Sequence, residues 1–136
     1  MDLDGWILKG YLLDTNVALL AMSRPELLSA PVKAAIEKGP AFLSVVVYWE
    51  VTIKSTKGMI DVGDPRQWFT HSLDALGLRP LLLRPEHIAA ISSLPPIHQD
   101  PFDRALIAQS IAEDMTLVTT DGAIPNYASD TVRVVR

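Results

Sequence analysis

Val45-Val46-Val47-Tyr48-Trp49-Glu50-Val51-Thr52-Ile53 can be read as strand or helix, and the architecture follows from the choice. β-Branched and aromatic residues fill the stretch, and propensity alone makes it a strand. Ser44 in front of it can cap a helix, however, and Val46, Trp49, Glu50, Ile53 and Lys57 recur at helical spacing on one side. We read a helix from Val45 to Lys57, ended by Gly58. It follows a short strand, Ala41 to Ser44, and so keeps strands alternating with helices. Glu50 then lies on a largely apolar helix face, where an unpaired carboxylate is costly and wants a cation, a hydrogen bond or a metal. The simplest partner is Lys54 at i+4.

Working outward, Tyr11-Leu12-Leu13 has the apolar character of a strand buried on both faces, and it stops at Asp14-Thr15-Asn16, where Val17 to Met22 begins a helix. Pro31 near the start and Gly39 past the end bracket a second helix over Val32 to Lys38. Asp64-Pro65 opens another, closed by Gly77, with Trp68, Phe69, Leu73 and Leu76 as core or interface residues. Leu78 to Leu83 reads as a strand whose Pro80 suits an edge. Pro85 to Leu94 reads as a short helix with Ile88 and Ile91 inward, broken by Pro95-Pro96. His71 and His87 lack a carboxylate at a spacing that suggests a site, so surface or rim positions are expected for them. His98 is expected to order the loop before the next helix through a backbone hydrogen bond.

Asp100-Pro101-Phe102-Asp103 carries a strong helix start: an N-cap acid, Pro at the first helical position and a second acid in the first turn. Leu106, Ile107 and Ile111 form the stripe that holds this helix against a core. Met115 to Thr119 is a buried strand ending at Thr120-Asp121-Gly122, and Val132 to Val135 is a last, edge strand. Residues 1–10 show no clear period and are expected to be a leader or appended segment, with one domain over residues 11–136.

Composition narrows the class. The 136 residues suit one domain; 49% are apolar and 21% charged, which argues against wholesale disorder. The absence of Cys excludes disulfides, thiolate metal sites and Cys nucleophiles and suits a reducing compartment. No apolar run reaches a membrane span and no signal-peptide order is present, so a cytoplasmic protein is expected. A formal charge of −4 argues against broad attraction to nucleic acid, yet a pocket of acids can bind a cation that binds phosphate.

Alternating strands and helices imply a mainly parallel sheet of about five strands covered on both faces, a three-layer α/β/α sandwich. All strands then end at one edge. Asp14 and Asp121 terminate strands there, Asp103 starts a helix returning to the core, and Glu50 lies in the helix after the second strand. Each alone has an ordinary explanation as cap, turn or ion pair. Together they bring like charges close: two carboxylates about 4 Å apart repel by roughly 4 kcal/mol at an effective dielectric of 20. A divalent cation reverses that sign, and oxygen ligands without Cys or paired His favour Mg²⁺ or Mn²⁺ over zinc. The matching chemistry is attack of water on a phosphodiester.

Leu12-Leu13-Asp14-Thr15-Asn16-Val17, Trp49-Glu50-Val51 with Ile53-Lys54 and Lys57-Gly58, the run from His98 to Ser110, and Leu117 to Asp121 together resemble the PIN-domain ribonucleases of the VapC toxin type, over nearly all of residues 11–136. The resemblance implies Mg²⁺- or Mn²⁺-dependent RNA cleavage, dimerisation and inhibition by a small antitoxin. On that pattern Asp14, Glu50, Asp103 and Asp121 match the acidic quartet. Asp14 and Asp103 are the firmest metal ligands, Glu50 a ligand or base for the water, and Asp121 a more distant or second-metal ligand. Thr15, Asn16 and Thr119 match polar positions that orient the acids, and Asp100 is an extra acid left as cap or outer residue. Lys54, Lys57 and Arg104 are candidate phosphate contacts, with plain solvated charge as the alternative. Two rival readings remain. One is a haloacid-dehalogenase-like phosphohydrolase, for which Asn16 stands where a second Asp is wanted; the other is a noncatalytic RNA- or protein-binding domain.

Overall fold

The structure is a computed structural model that describes residues 9–96, 100–120 and 133–136. Residues 1–8, His98 and Asp121 lie outside the described residues, so the expectations placed on them are not met by any observation. The elements are β1 (Tyr11–Leu13), α1 (Thr15–Ser23), a 3₁₀ turn (Pro25–Leu27), α2 (Ala30–Lys38), β2 (Ala41–Ser44), α3 (Val45–Thr56), α4 (Pro65–Leu76), β3 (Arg79–Leu81), α5 (Pro85–Ile91), α6 (Pro101–Ala112), β4 (Thr116–Val118) and β5 (Arg133–Val135). The five strands form one sheet in the order β3-β2-β1-β4-β5, and every neighbouring pair is parallel. Helices flank this sheet, as the alternating pattern implied. α1, α3, α4, α5 and α6 pack in succession on one another, whereas α2 packs on β2 and β5.

The β-branched run is helical. Val46, Val47, Glu50 and Val51 are its buried positions, a helical stripe one residue over from the one read in the sequence. Burial against the sheet and the Ser44 cap, whose Oγ accepts from the Val46 N–H at 3.0 Å, outweigh local β-propensity. Trp49 stands outside that stripe, 55% exposed, with its ring edge-on to Phe102 at a centroid distance of 5.0 Å. Local caps set the other starts. Asp14, Ser29, Asp64 and Asp100 each accept a backbone N–H in the first turn of the helix that follows.

The core is centred on β1 and β4, where Leu12, Leu13, Leu117 and Val118 are fully buried. α6 is more deeply placed than a one-sided stripe implies, for Ala105 through Ser110 are all buried. β3 pairs only with β2 and carries Pro80 on an edge, where the missing N–H removes no ladder bond on the open side.

Two expectations are corrected on α5. His87 is fully buried rather than at the rim, and Ile88 is 52% exposed rather than inward. The His87 Nδ1 accepts from the Arg84 N–H at 3.0 Å and its Nε2 lies 2.8 Å from a Glu113 carboxylate oxygen. That pairing turns His87 to the core, which puts its neighbour about 100° round the helix and outward.

Candidate active site

In this sheet the chain proceeds outward from β1 to β2 and β3 and then returns to the other side of β1 for β4. The strand order therefore reverses between β1 and β4, and in open α/β sheets the crevice beyond the strand ends at that point is where ligands bind. Asp14 follows β1 and Thr119 follows β4, so both stand at the mouth of that crevice. The Asp14 N–H still bonds the Val118 carbonyl at 2.9 Å, which extends the ladder by one rung and fixes the acid's backbone.

Asp14 is 3% exposed and held at both oxygens. Its Oδ1 accepts the Val17 N–H at 2.8 Å as the N-cap of α1, and its Oδ2 accepts the Thr119 hydroxyl. Glu50, 4% exposed, is held in the same way from two sides. The Thr15 hydroxyl donates to its Oε1 at 2.5 Å and the Lys54 ammonium reaches its Oε2 at 2.8 Å. Asn16 is exposed and donates from Nδ2 to the Thr120 hydroxyl at 2.7 Å, tying α1 to the end of β4.

Across the crevice, α6 begins with Asp100, whose Oδ1 accepts the Phe102 and Asp103 N–H groups at 2.8 and 3.0 Å. Asp103 stands in the first turn, next to the positive end of the helix. Asp14, Thr15, Asn16, Leu19, Glu50, Lys54, Asp100 and Asp103 line one cavity of about 220 Å³. Four carboxylates and a single cationic side chain line it, from a chain separation that only this topology closes. A wider hollow of about 940 Å³ lies along α4, but its Asp64 is already paired with Arg66 at 2.9 Å and its other lining is mixed, so it offers no comparable chemistry.

The field of these acids acts on Lys54. Its pKa is raised above the ordinary 10.5, first by the hydrogen bond to Glu50, with the negative charges of Glu50, Asp100 and Asp103 adding to it. The other two cations named from the sequence lie elsewhere. Lys57 caps the end of α3 and is exposed. Arg104 turns its guanidinium to the carbonyls of Ile91, Leu94 and Pro95, at 3.0 to 3.5 Å, and clamps the end of α5 instead of facing the cavity.

The PIN domain sequence pattern matches residues 11–129. The chain belongs to the PIN domain family. Among solved structures, a chain of VapBC2 from Rickettsia felis bound to a promoter DNA fragment aligns with a TM-score of 0.67 and 17% identity, covering 92% of this PIN domain protein and 96% of the other chain. FitAcB from Neisseria gonorrhoeae aligns at 0.61 and 20%, covering 93% and 96%. A toxin–antitoxin complex from Klebsiella pneumoniae aligns at 0.59 and 17%, also covering 93% and 96%. At such identities the likeness speaks to the fold. No curated protein matches by sequence.

Two lining or supporting residues of this PIN domain were not singled out in the sequence. Leu19 lines the cavity because it lies four residues after Thr15, one helical turn on, a spacing that could have shown it. Thr120 had no local signal, since its partner Asn16 is 104 residues away.

Proposed function

We propose that this PIN domain protein is a Mg²⁺- or Mn²⁺-dependent endoribonuclease of the cytoplasm. We further propose that it acts as a growth-inhibiting toxin, is neutralised by a cognate antitoxin and works as a homodimer. The observation that carries the reading is the convergence of Asp14, Glu50, Asp103 and Asp100 on one cavity at the sheet's switch point. The antitoxin rests on the structural neighbours, which come from complexes described as VapBC and toxin–antitoxin assemblies.

The donor set suits a hard cation. The cavity lining offers carboxylate and hydroxyl oxygens and no imidazole or thiolate, the preference of Mg²⁺ and Mn²⁺ rather than zinc. Asp14, Asp103 and Glu50 would hold the ion, with Asp121 as a further ligand. As they stand, no three acids or histidines among the described residues are drawn close enough together to grip one. When bound, the ion supplies Lewis acidity and offsets negative charge on the phosphodiester. The protein supplies orientation. The Val17 N–H and the Thr119 hydroxyl keep Asp14 in one rotamer, and Thr15 does the same for Glu50, so neither carboxylate must be reordered at the moment of reaction. Glu50, buried and aimed into the cavity lining, is assigned to take the proton from the attacking water.

The purified protein, incubated with total RNA and Mn²⁺ or Mg²⁺, should generate new 5′ ends that chelation suppresses. Asp14→Asn and Asp103→Asn should remove both this cleavage and growth inhibition on induction, while the far-ultraviolet circular dichroism stays unchanged. Cleavage that survives both substitutions and chelation overturns the proposal. Turnover of p-nitrophenyl phosphate without RNA cleavage favours the phosphohydrolase, and phenotypes indifferent to Asp14→Asn favour a noncatalytic binding domain.

A further inference from the structure

We propose that the Lys54 ammonium is a built-in counter-cation of the acidic cavity, seated on Glu50 where the divalent ion needs a ligand. The ion then binds by displacing it, and Lys54 sets the metal concentration at which the site fills. This inference rests on the cavity being a metal site, and its test separates the two.

The geometry is specific. Lys54 lies one helical turn after Glu50 on α3, and its Nζ is 2.8 Å from Glu50 Oε2 while Thr15 takes Oε1. Both oxygens of Glu50 are therefore engaged before any metal arrives. The pair is lopsided: the Glu50 side chain is 5% exposed and that of Lys54 36%, so the carboxylate is fixed and the ammonium, on a flexible stem, is the partner that can leave. Asp100 and Asp103 act on the same ammonium from the start of α6, which makes Lys54 the cation that faces acids from both walls of the cavity. Lys57 and Arg104 lie off the cavity lining and cannot take over that task. The arrangement also accounts for the absence of a tight group of three acids among the described residues, since the charge that would gather them is here an ammonium on one side. A univalent tethered cation relieves the repulsion among the acids but leaves the site open to exchange for a divalent one.

Lys54→Met keeps an unbranched apolar stem and removes the competitor. Mn²⁺ affinity, measured by isothermal titration calorimetry, should tighten about tenfold, the size of a charge-assisted hydrogen bond discounted for partial exposure. The metal-free protein should melt lower than wild type, and the rise in melting temperature on adding Mn²⁺ should be larger. Lys54→Gln leaves a neutral donor for Glu50, which protects folding should the Met variant fail, and it too should bind Mn²⁺ more tightly than wild type. Lys54→Arg retains the charge and should stay within about twofold of wild type. Unchanged or weaker Mn²⁺ binding in the Met and Gln variants overturns the proposal, and if RNA affinity falls in the same variants Lys54 is a phosphate contact. Absence of Mn²⁺ binding in wild type and variants alike overturns the metal site itself.

Discussion

Thr119→Val tests the joint that fixes Asp14. Thr119 is fully buried, and its hydroxyl donates to Asp14 Oδ2 while its N–H bonds the Val135 carbonyl at 2.9 Å. Valine keeps the shape and the backbone bond but replaces the donor by a methyl group. A hydrogen bond to a charged acceptor contributes roughly 1.5–3 kcal/mol, and the extra buried methyl returns about 0.8 kcal/mol. The net loss should be about 1–2 kcal/mol, or roughly 3–8 °C in melting temperature for a chain of this size. Part of that figure belongs to the pair and not to Thr119 alone. A double-mutant cycle with Asp14→Ala, followed by urea unfolding at 25 °C, should therefore give a coupling of about 1–2 kcal/mol. Thr119→Ser, which keeps the hydroxyl, should preserve the coupling to Asp14 and lose only the methyl's share. Additivity of Asp14→Ala and Thr119→Val to within about 0.3 kcal/mol would refute the claim that β4 holds Asp14 in place.

Gly10→Ala should destabilise by about 1–3 kcal/mol, read as a lower urea midpoint, because Gly10 has φ +120° and an added Cβ would sit 2.8 Å from the Pro40 carbonyl oxygen, which is itself bound to the Tyr11 N–H at 2.9 Å and cannot retreat. His87→Leu should cost about 1–3 kcal/mol by calorimetry, since it strips a partner from the Arg84 N–H and from Glu113. Gln109→Met in the same cluster should cost less, for the buried Gln109 Oε1 has no hydrogen-bond partner among the described residues and only the Nε2 bond to the Leu82 carbonyl at 3.2 Å is lost.

What the sequence made legible was what local chemistry controls. Asp100-Pro101 and Asp64-Pro65 marked helix starts because a cap and a proline act within three residues, and the structure has helices starting at both. The parallel sheet followed from alternation once Val45 to Ile53 was taken as a helix, a choice that rested on Ser44 and on spacing against the residues' own β-propensity. Asp14 and Asp103 could be placed near one another because a parallel sheet sends every strand end to one edge. Contacts made through the third dimension were less legible. His87 looked like a rim residue because its partner Glu113 is 26 positions away on another helix. Trp49 was read into the buried stripe because a single aromatic cannot show on which side of an apolar helix the core lies. Arg104 was read as a phosphate contact from its place beside Asp103, but the end of α5 supplies three carbonyls that claim it. The Lys54–Glu50 pair, by contrast, was visible at i+4, and what the sequence did not show was that two further acids face the same ammonium.

Anomalous diffraction from crystals soaked in Mn²⁺ tests most directly whether the acids act together on one cation. The peak should lie in the crevice beyond β1 and β4, with oxygens of Asp14 and Asp103 at about 2.0–2.3 Å, and with Lys54 withdrawn from Glu50. A peak that Asp14 and Asp103 do not share, or no peak at metal concentrations that support RNA cleavage, would contradict the account.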